Sequence, residues 1–123
     1  MPEREVPEEL PRVLADVGEL AADESSGVRW KLAEAGRQLD ANVVRLAPHQ
    51  RVDAHAEPDL DVLLLVLGGN GVLEAADGSH PMTGGALLWL PHGSRRAFTA
   101  GEAGLTYLTT HRRRPGMWIG SAP

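Results

Sequence analysis

From Gly27 to His111, short apolar runs are broken by Gly, Pro, Asp and Asn before any of them is long enough to make a stable helix. Such punctuation leaves one main solution: many short strands joined by tight turns and closed into a sandwich or barrel. The runs read as eight or nine strands, over 28–32, 38–46, 61–67, 72–75, a short stretch ending at Met82, 86–90, 95–99 and 105–111. Turns are expected at Ala33 to Gly36, at Gly68-Gly69-Asn70-Gly71, where positive φ is cheap, at Asp77-Gly78, at Gly84-Gly85, at Pro91-His92-Gly93 and over 101–104. Residues 48–53 read as a loop.

The segment before Gly27 follows a different period. Leu10, Val13, Leu14, Val17 and Leu20 make one apolar stripe at helical spacing, with Pro11 tolerated only in a first turn, which predicts a helix over about 8–22. The chain thus divides into an acidic arm and helix (1–26), a strand domain (27–112) and a tail (113–123). Its 123 residues suit one domain with one core. With no cysteine, disulfides and thiolate metal sites are excluded, in keeping with a cytoplasmic setting. The acidic start lacks a signal-peptide pattern, and the longest apolar run is too short to span a bilayer.

The net charge of −5 gives no general case for nucleic acid, and neither nucleic acid nor membrane is expected as a partner. The charge is unevenly spread. Residues 1–24 carry eight acidic side chains and two basic ones, while Arg112, Arg113 and Arg114 stand in a row near the other end. In 61–67 the strand period puts Leu63, Leu65 and Leu67 on one face and Val62, Leu64 and Val66 on the other. Both faces are apolar, so both need cover. With the valine-bearing face taken as the outer one, a homodimer is expected.

Two spacings carry chemistry. His55-Ala56-Glu57-Pro58-Asp59-Leu60-Asp61, then six residues, then Gly68, resembles the first motif of the cupin family, G-x5-H-x-H-x3-E-x6-G. Gly85, five residues, then Pro91-His92-Gly93-Ser94-Arg95-Arg96 resembles the second, G-x5-P-x-G-x2-H-x3-N. The resemblance covers about residues 38–111. It implies an all-β double-stranded β-helix, a jelly-roll-like barrel, with one N-terminal α-helix. It also implies that the position of each metal ligand in the family can be read off here. His55 keeps the first histidine, while Glu57 replaces the second, Asp61 the glutamate and Arg96 the last histidine. His49 stands at the opening glycine and Ala100 at the closing asparagine.

Arg96 argues against a metal, since a guanidinium is always charged and has no lone pair to donate. No cofactor is therefore expected. The site is read as metal-free and binding a small anionic molecule. Arg96 receives the anion or pairs with Glu57 or Asp61; His55 is the candidate base, oriented by Asp61 or Glu57, and Tyr107 a candidate proton donor. Gln38, Asp40 and Asn42 form a polar row on one strand face, lining a cavity or facing water. Trp30 and Trp89 read as core or dimer interface. The alternative is a metal-dependent dioxygenase or isomerase holding a divalent ion on His55, Glu57, Asp61 and His92. A second alternative is a non-catalytic structural or regulatory dimer module.

Overall fold

Two strands dominate the architecture because each is long enough to belong to both halves of the barrel. A computed structural model of the protein describes residues 10–114. In chain order it contains α1 (Val17–Ala22), β1 (Gly27–Lys31), β2 (Leu39–Leu46), β3 (Arg51–Ala56), β4 (Val62–Ala75), β5 (Gly78–Thr83), β6 (Leu87–Leu90) and β7 (Arg95–Arg112). All pairings are antiparallel. The first half of β7 pairs with β3 and with the second half of β4; the second half of β7 pairs with β2 and with the first half of β4. β4 adds β6 at one end and β5 at the other, and β1 extends the sheet beyond β2. The result is an all-β jelly-roll barrel with one short helix.

The turns expected at 68–71 and 101–104 do not reverse the chain. Both glycine clusters lie inside continuous strands, where the pairing of β4 with β7 shifts register at Val66/Gly68 and Gly69/Gly71. Glycine signals a bulge as readily as a hairpin. Gly69 has φ +75, and a Cβ there would collide with the Gly104 carbonyl oxygen on the neighbouring strand. The two clusters face each other and let β4 and β7 bend together, which closes the barrel. Four expected strands thus become two. The opposite error was made at 48–53, since β3 begins at Arg51. That strand pairs only with β7, and its exposed Arg51, Asp53 and His55 give it the polar character of an edge.

The helix is also shorter than its periodicity predicts. It begins at Val17, where the Asp16 carboxylate caps the Gly18 and Glu19 amides at 2.8 and 3.2 Å. Residues 10–16 are not helical, so Leu10, Val13 and Leu14 do not form a buried stripe; all three are exposed. Arg12 pairs with Glu34 and fastens this segment to the β1–β2 turn. Val13, Leu14 and Val17 share an apolar groove with Trp30, Val43 and Leu108 on the outer face of the sheet. Beneath this cover Val43 is fully buried, and buried Arg45 donates to the Glu24 and Ala103 carbonyls.

The two faces of β4 are the reverse of the assignment made from the sequence. Val62, Leu64 and Val66 point inward and are buried, packed in one core with Leu46, Met82, Leu90, Phe98 and Leu105. Leu63, Leu65 and Leu67 face outward. The N-terminal segment does not reach all of that face. Leu63 (41% exposed) pairs across strands with Trp89 (60%), and Leu65 with Leu87 (64%). Among the described residues no helix is long and apolar enough to cross a membrane.

Candidate functional site

The barrel interior changes character along its length. One end is filled by Leu46, Val66, Met82, Ala100 and Leu105. The other holds a cavity of about 310 Å³ walled by Val44, Val52, Val62, Leu90 and Phe98, with Asn42, Arg96, Tyr107 and Thr109 among them. Strand alternation explains the set: Arg96 and Phe98 lie on one face of β7, as do Tyr107, Thr109 and His111 beyond the bend. The Thr109 hydroxyl donates to the Asn42 side-chain oxygen at 3.2 Å, so two facing strands present a linked polar pair. Tyr107 stacks edge-on against Phe98 with ring centroids 5.8 Å apart. Burial pushes its phenol up to about 12, so it stays protonated across the neutral range.

Arg96 is 4% exposed and lies opposite His55 in the β3–β7 register. One terminal nitrogen donates to the Ser94 carbonyl at 3.0 Å and to its hydroxyl at 3.2 Å. Among the described residues no carboxylate lies within ion-pair distance of it. Burial lowers its proton affinity, and the more distant Glu57 charge opposes that. Glu57 is held elsewhere. Its side chain accepts the Asp59 amide at 2.9 Å and the Arg114 guanidinium at 2.7 Å, which together hold its carboxyl below the usual range.

The loops bearing the two motifs are tied directly. The Gly93 amide donates to the Glu57 carbonyl at 2.7 Å, with Gly93 at φ +81, a conformation glycine adopts without strain. Asp61 accepts both the amide of His92 (2.9 Å) and its Nδ1 (2.8 Å), which lowers the Asp61 carboxyl.

No family model and no curated protein matches the chain. Solved structures do. A sugar phosphate isomerase from a cupin superfamily, from Silicibacter pomeroyi DSS-3, is 29% identical and superposes with a TM-score of 0.59 over 64% of this chain. The chain spans about half of that protein's length, 53%. A cupin-2 domain containing protein from Shewanella frigidimarina NCIMB 400 is 16% identical, covering 82% of this chain and 95% of its own at a TM-score of 0.66. KdgF from a Halomonas species is 17% identical, with coverages of 70% and 77% and a TM-score of 0.62. The chain has the cupin fold.

Within this cupin-fold barrel the sequence-derived residues separate into three groups. His55, Glu57, Arg96, Asn42 and Tyr107 meet at the cavity. Asp61 does not. It is committed to His92 in the motif loops, so it neither orients His55 nor pairs with Arg96. The His55 ring is oriented instead by the Asp53 carbonyl, 3.1 Å from Nδ1. Gln38 and Asp40 lie outside the cavity. Gln38 precedes β2 and its carbonyl accepts the Arg113 amide, while Asp40 pairs with Arg37 at 2.9 Å. The polar row of 38, 40 and 42 therefore splits, with only Asn42 inside.

The donor set does not suit the divalent ion that the family pattern implies. His55 and Glu57 stand at the cavity while Asp61 and His92 bond each other, and among the described residues no three such side chains surround one point. His49, at the position of the motif's opening glycine, has φ 65. The turn still requires that left-handed conformation, although the residue has changed.

Three polar cavity residues escaped the sequence reading, Thr109, His111 and Arg114. Thr109 carries no signal beyond its strand position. Arg114 read as part of a solvated tail, yet it lies against the mouth just beyond β7. Its amide donates to Asp40 at 3.2 Å and its side chain reaches Glu57. Trp118 and the acidic residues of 1–9 lie outside the described residues.

Proposed function

We propose that this cupin binds a small anionic molecule in its barrel cavity without a metal, Arg96 receiving the anion. The observation that carries the reading is a buried guanidinium in a cavity wall that lacks a carboxylate partner. A charge taken out of water needs a counter-charge or full hydrogen bonding, and a bound carboxylate or phosphate supplies both in bidentate geometry. The cavity, about 310 Å³, suits a molecule of roughly metabolite size. Asn42, Thr109 and the protonated Tyr107 offer hydrogen bonds to its neutral part, and the apolar walls exclude water. Similarity to a sugar phosphate isomerase supports a small polar ligand. Among the described residues two imidazoles line the cavity, His55 and His111, and His55, opposite Arg96, is the candidate for proton transfer.

A calorimetric screen of small organic acids tests this. A saturable binder whose affinity falls at least about tenfold in Arg96→Gln is expected, tenfold being about 1.4 kcal/mol. Stoichiometric iron, manganese, nickel or zinc in untagged protein, lost in His55→Ala, would overturn the metal-free reading in favour of the metal-dependent enzyme.

We also propose a homodimer, with the uncovered outer patch of Leu63, Leu87 and Trp89 as its centre. Large exposed apolar groups side by side on a sheet face favour burial against a second copy.

A further inference from the structure

Outside the cavity mouth lies a second, wider basin of about 950 Å³, which meets the cavity at Asn42, His111 and Arg114. Its charge is opposite to that of the protein. Lys31, Arg37, Arg112, Arg113 and Arg114 line it against only Asp40 and Asp59, on a chain of net charge −5. Two of those cations are neutralised: Arg37 by Asp40 and Arg114 by Glu57. The others are not. Arg112 donates to the Asp59 backbone carbonyl at 3.2 Å, and Arg113 to the Ala35 and Arg37 carbonyls at 2.9 and 3.3 Å. Among the described residues neither forms an ion pair, although Arg112 lies near enough to Asp61 to help hold that carboxyl low. Lys31 is exposed and has no described partner.

Backbone carbonyls fix an arginine in position without cancelling its charge. Each guanidinium has five N–H donors, and these bonds leave others unused. Like charges gathered in a concave surface repel one another until a counter-ion arrives, and concavity focuses their field. A single carboxylate matches Arg96 alone. Several fixed cations around one hollow match a group carrying close to two negative charges and several acceptor oxygens, which is the chemistry of a phosphoryl group near neutral pH.

We propose that the basin is a phosphate subsite and that the ligand is a small phosphorylated compound, its phosphoryl group held by Lys31, Arg112 and Arg113 and its organic part entering the cavity toward Asn42 and Arg96. This rests on the barrel cavity being a small-molecule site. A hollow continuous with the barrel cavity favours a small ligand over a nucleic-acid strand, which needs a long groove.

Titration calorimetry with glucose 6-phosphate, inorganic phosphate, galacturonate and a single-stranded RNA oligomer tests it. Glucose 6-phosphate and inorganic phosphate are expected to bind saturably and to weaken at least about tenfold in Lys31→Gln/Arg113→Gln, while galacturonate binding changes little. Lys31→Gln alone, at an exposed position without a described partner, guards against misfolding and should show a smaller loss of the same kind. If galacturonate binds in an Arg96-dependent manner and neither phosphate does, the subsite is overturned and the cavity reading stands. If phosphate binds at the basin and no small acid depends on Arg96, the cavity reading fails and the two-part ligand with it. RNA binding tighter than either phosphate, lost in the same double variant, would overturn the small-ligand assignment.

Discussion

The two ends of the barrel interior are built from the same strands with the same alternation, yet one is filled and the other is hollow. At the closed end, Leu46, Leu64, Val66, Met82 and Leu105 fill the space between β2, β4, β5 and β7. At the open end, past Val44, Tyr107 and Phe98, the inward positions along β2 and β7 are Asn42, Thr109 and Arg96, and the space is a cavity. Close packing stabilises the first, and lost dispersion is the penalty for disturbing it. Apolar packing also walls the second, through Val44, Val52, Val62, Leu90 and Phe98, and polar groups join it there around a hollow. The cupin fold here is packed solid at one end and hollow at the other.

Core truncation should show the largest effect. Leu64→Ala, at a fully buried position, is expected to cost about 2–5 kcal/mol in chemical denaturation. A loss under about 1 kcal/mol would mean that the closed end carries no more stability than the open one.

Tyr107 joins the two ends, and its burial should be visible in alkali. A phenol raised from 10.0 to about 12 stabilises the fold fully below the unfolded value, and that stability is lost as pH rises through the folded one. Stability should therefore fall between pH about 10 and 12 by on the order of 2 kcal/mol, and this fall should be absent in Tyr107→Phe. Absorbance titration of the native protein near 295 nm checks the same group.

Arg96→Met gauges how far the open end depends on ion pairing. If Arg96 neutralised a buried carboxylate, its loss would cost about 3–5 kcal/mol. Because Glu57 is paired with Arg114 and Asp61 with His92, the expected cost is within about 1 kcal/mol, while small-acid binding is lost.

Acid should act on the mouth before the core. The Asp40, Glu57 and Asp61 carboxyls all lie below their ordinary values, held down by Arg114 and Arg37, by Asp59 and Arg114, and by His92. Depressed carboxyls contribute stability that is present above their unfolded values and lost as pH falls through the folded ones. Glu57→Gln should lower stability modestly at pH 7 and flatten this acid limb, so that variant and wild type converge below pH 4.5. An unchanged limb would place the acid sensitivity elsewhere.

The smallest effect on folding is expected on the outer face. Trp89→Ser, at a 60% exposed position, should change monomer stability by less than about 0.5 kcal/mol. Sedimentation at micromolar concentration should nonetheless show a dimer converted to monomer. Wild type that stays monomeric at high concentration would leave the patch without a role in assembly.

By itself the sequence determined the class of fold and the register of the motifs. Turn residues and strand alternation are local properties, and the spacing of His55, Glu57 and Gly68 or of Gly85, Pro91 and Arg96 is unchanged by folding. What it left open depends on neighbours distant in the chain. Gly68 to Gly71 read as a turn because only the facing Gly104 makes that cluster a bend. β3 read as a loop because an edge strand needs no apolar pattern. Either face of β4 was apolar enough to be the core, and the closure of the barrel alone put Val62, Leu64 and Val66 inside. The ion pairs followed the same logic. Asp61 met His92 and Glu57 met Arg114 because the Gly93 amide ties the two motif loops together and the end of β7 brings Arg114 to the mouth. Charge partners are chosen by distance in space, and that distance exists only once the barrel has closed.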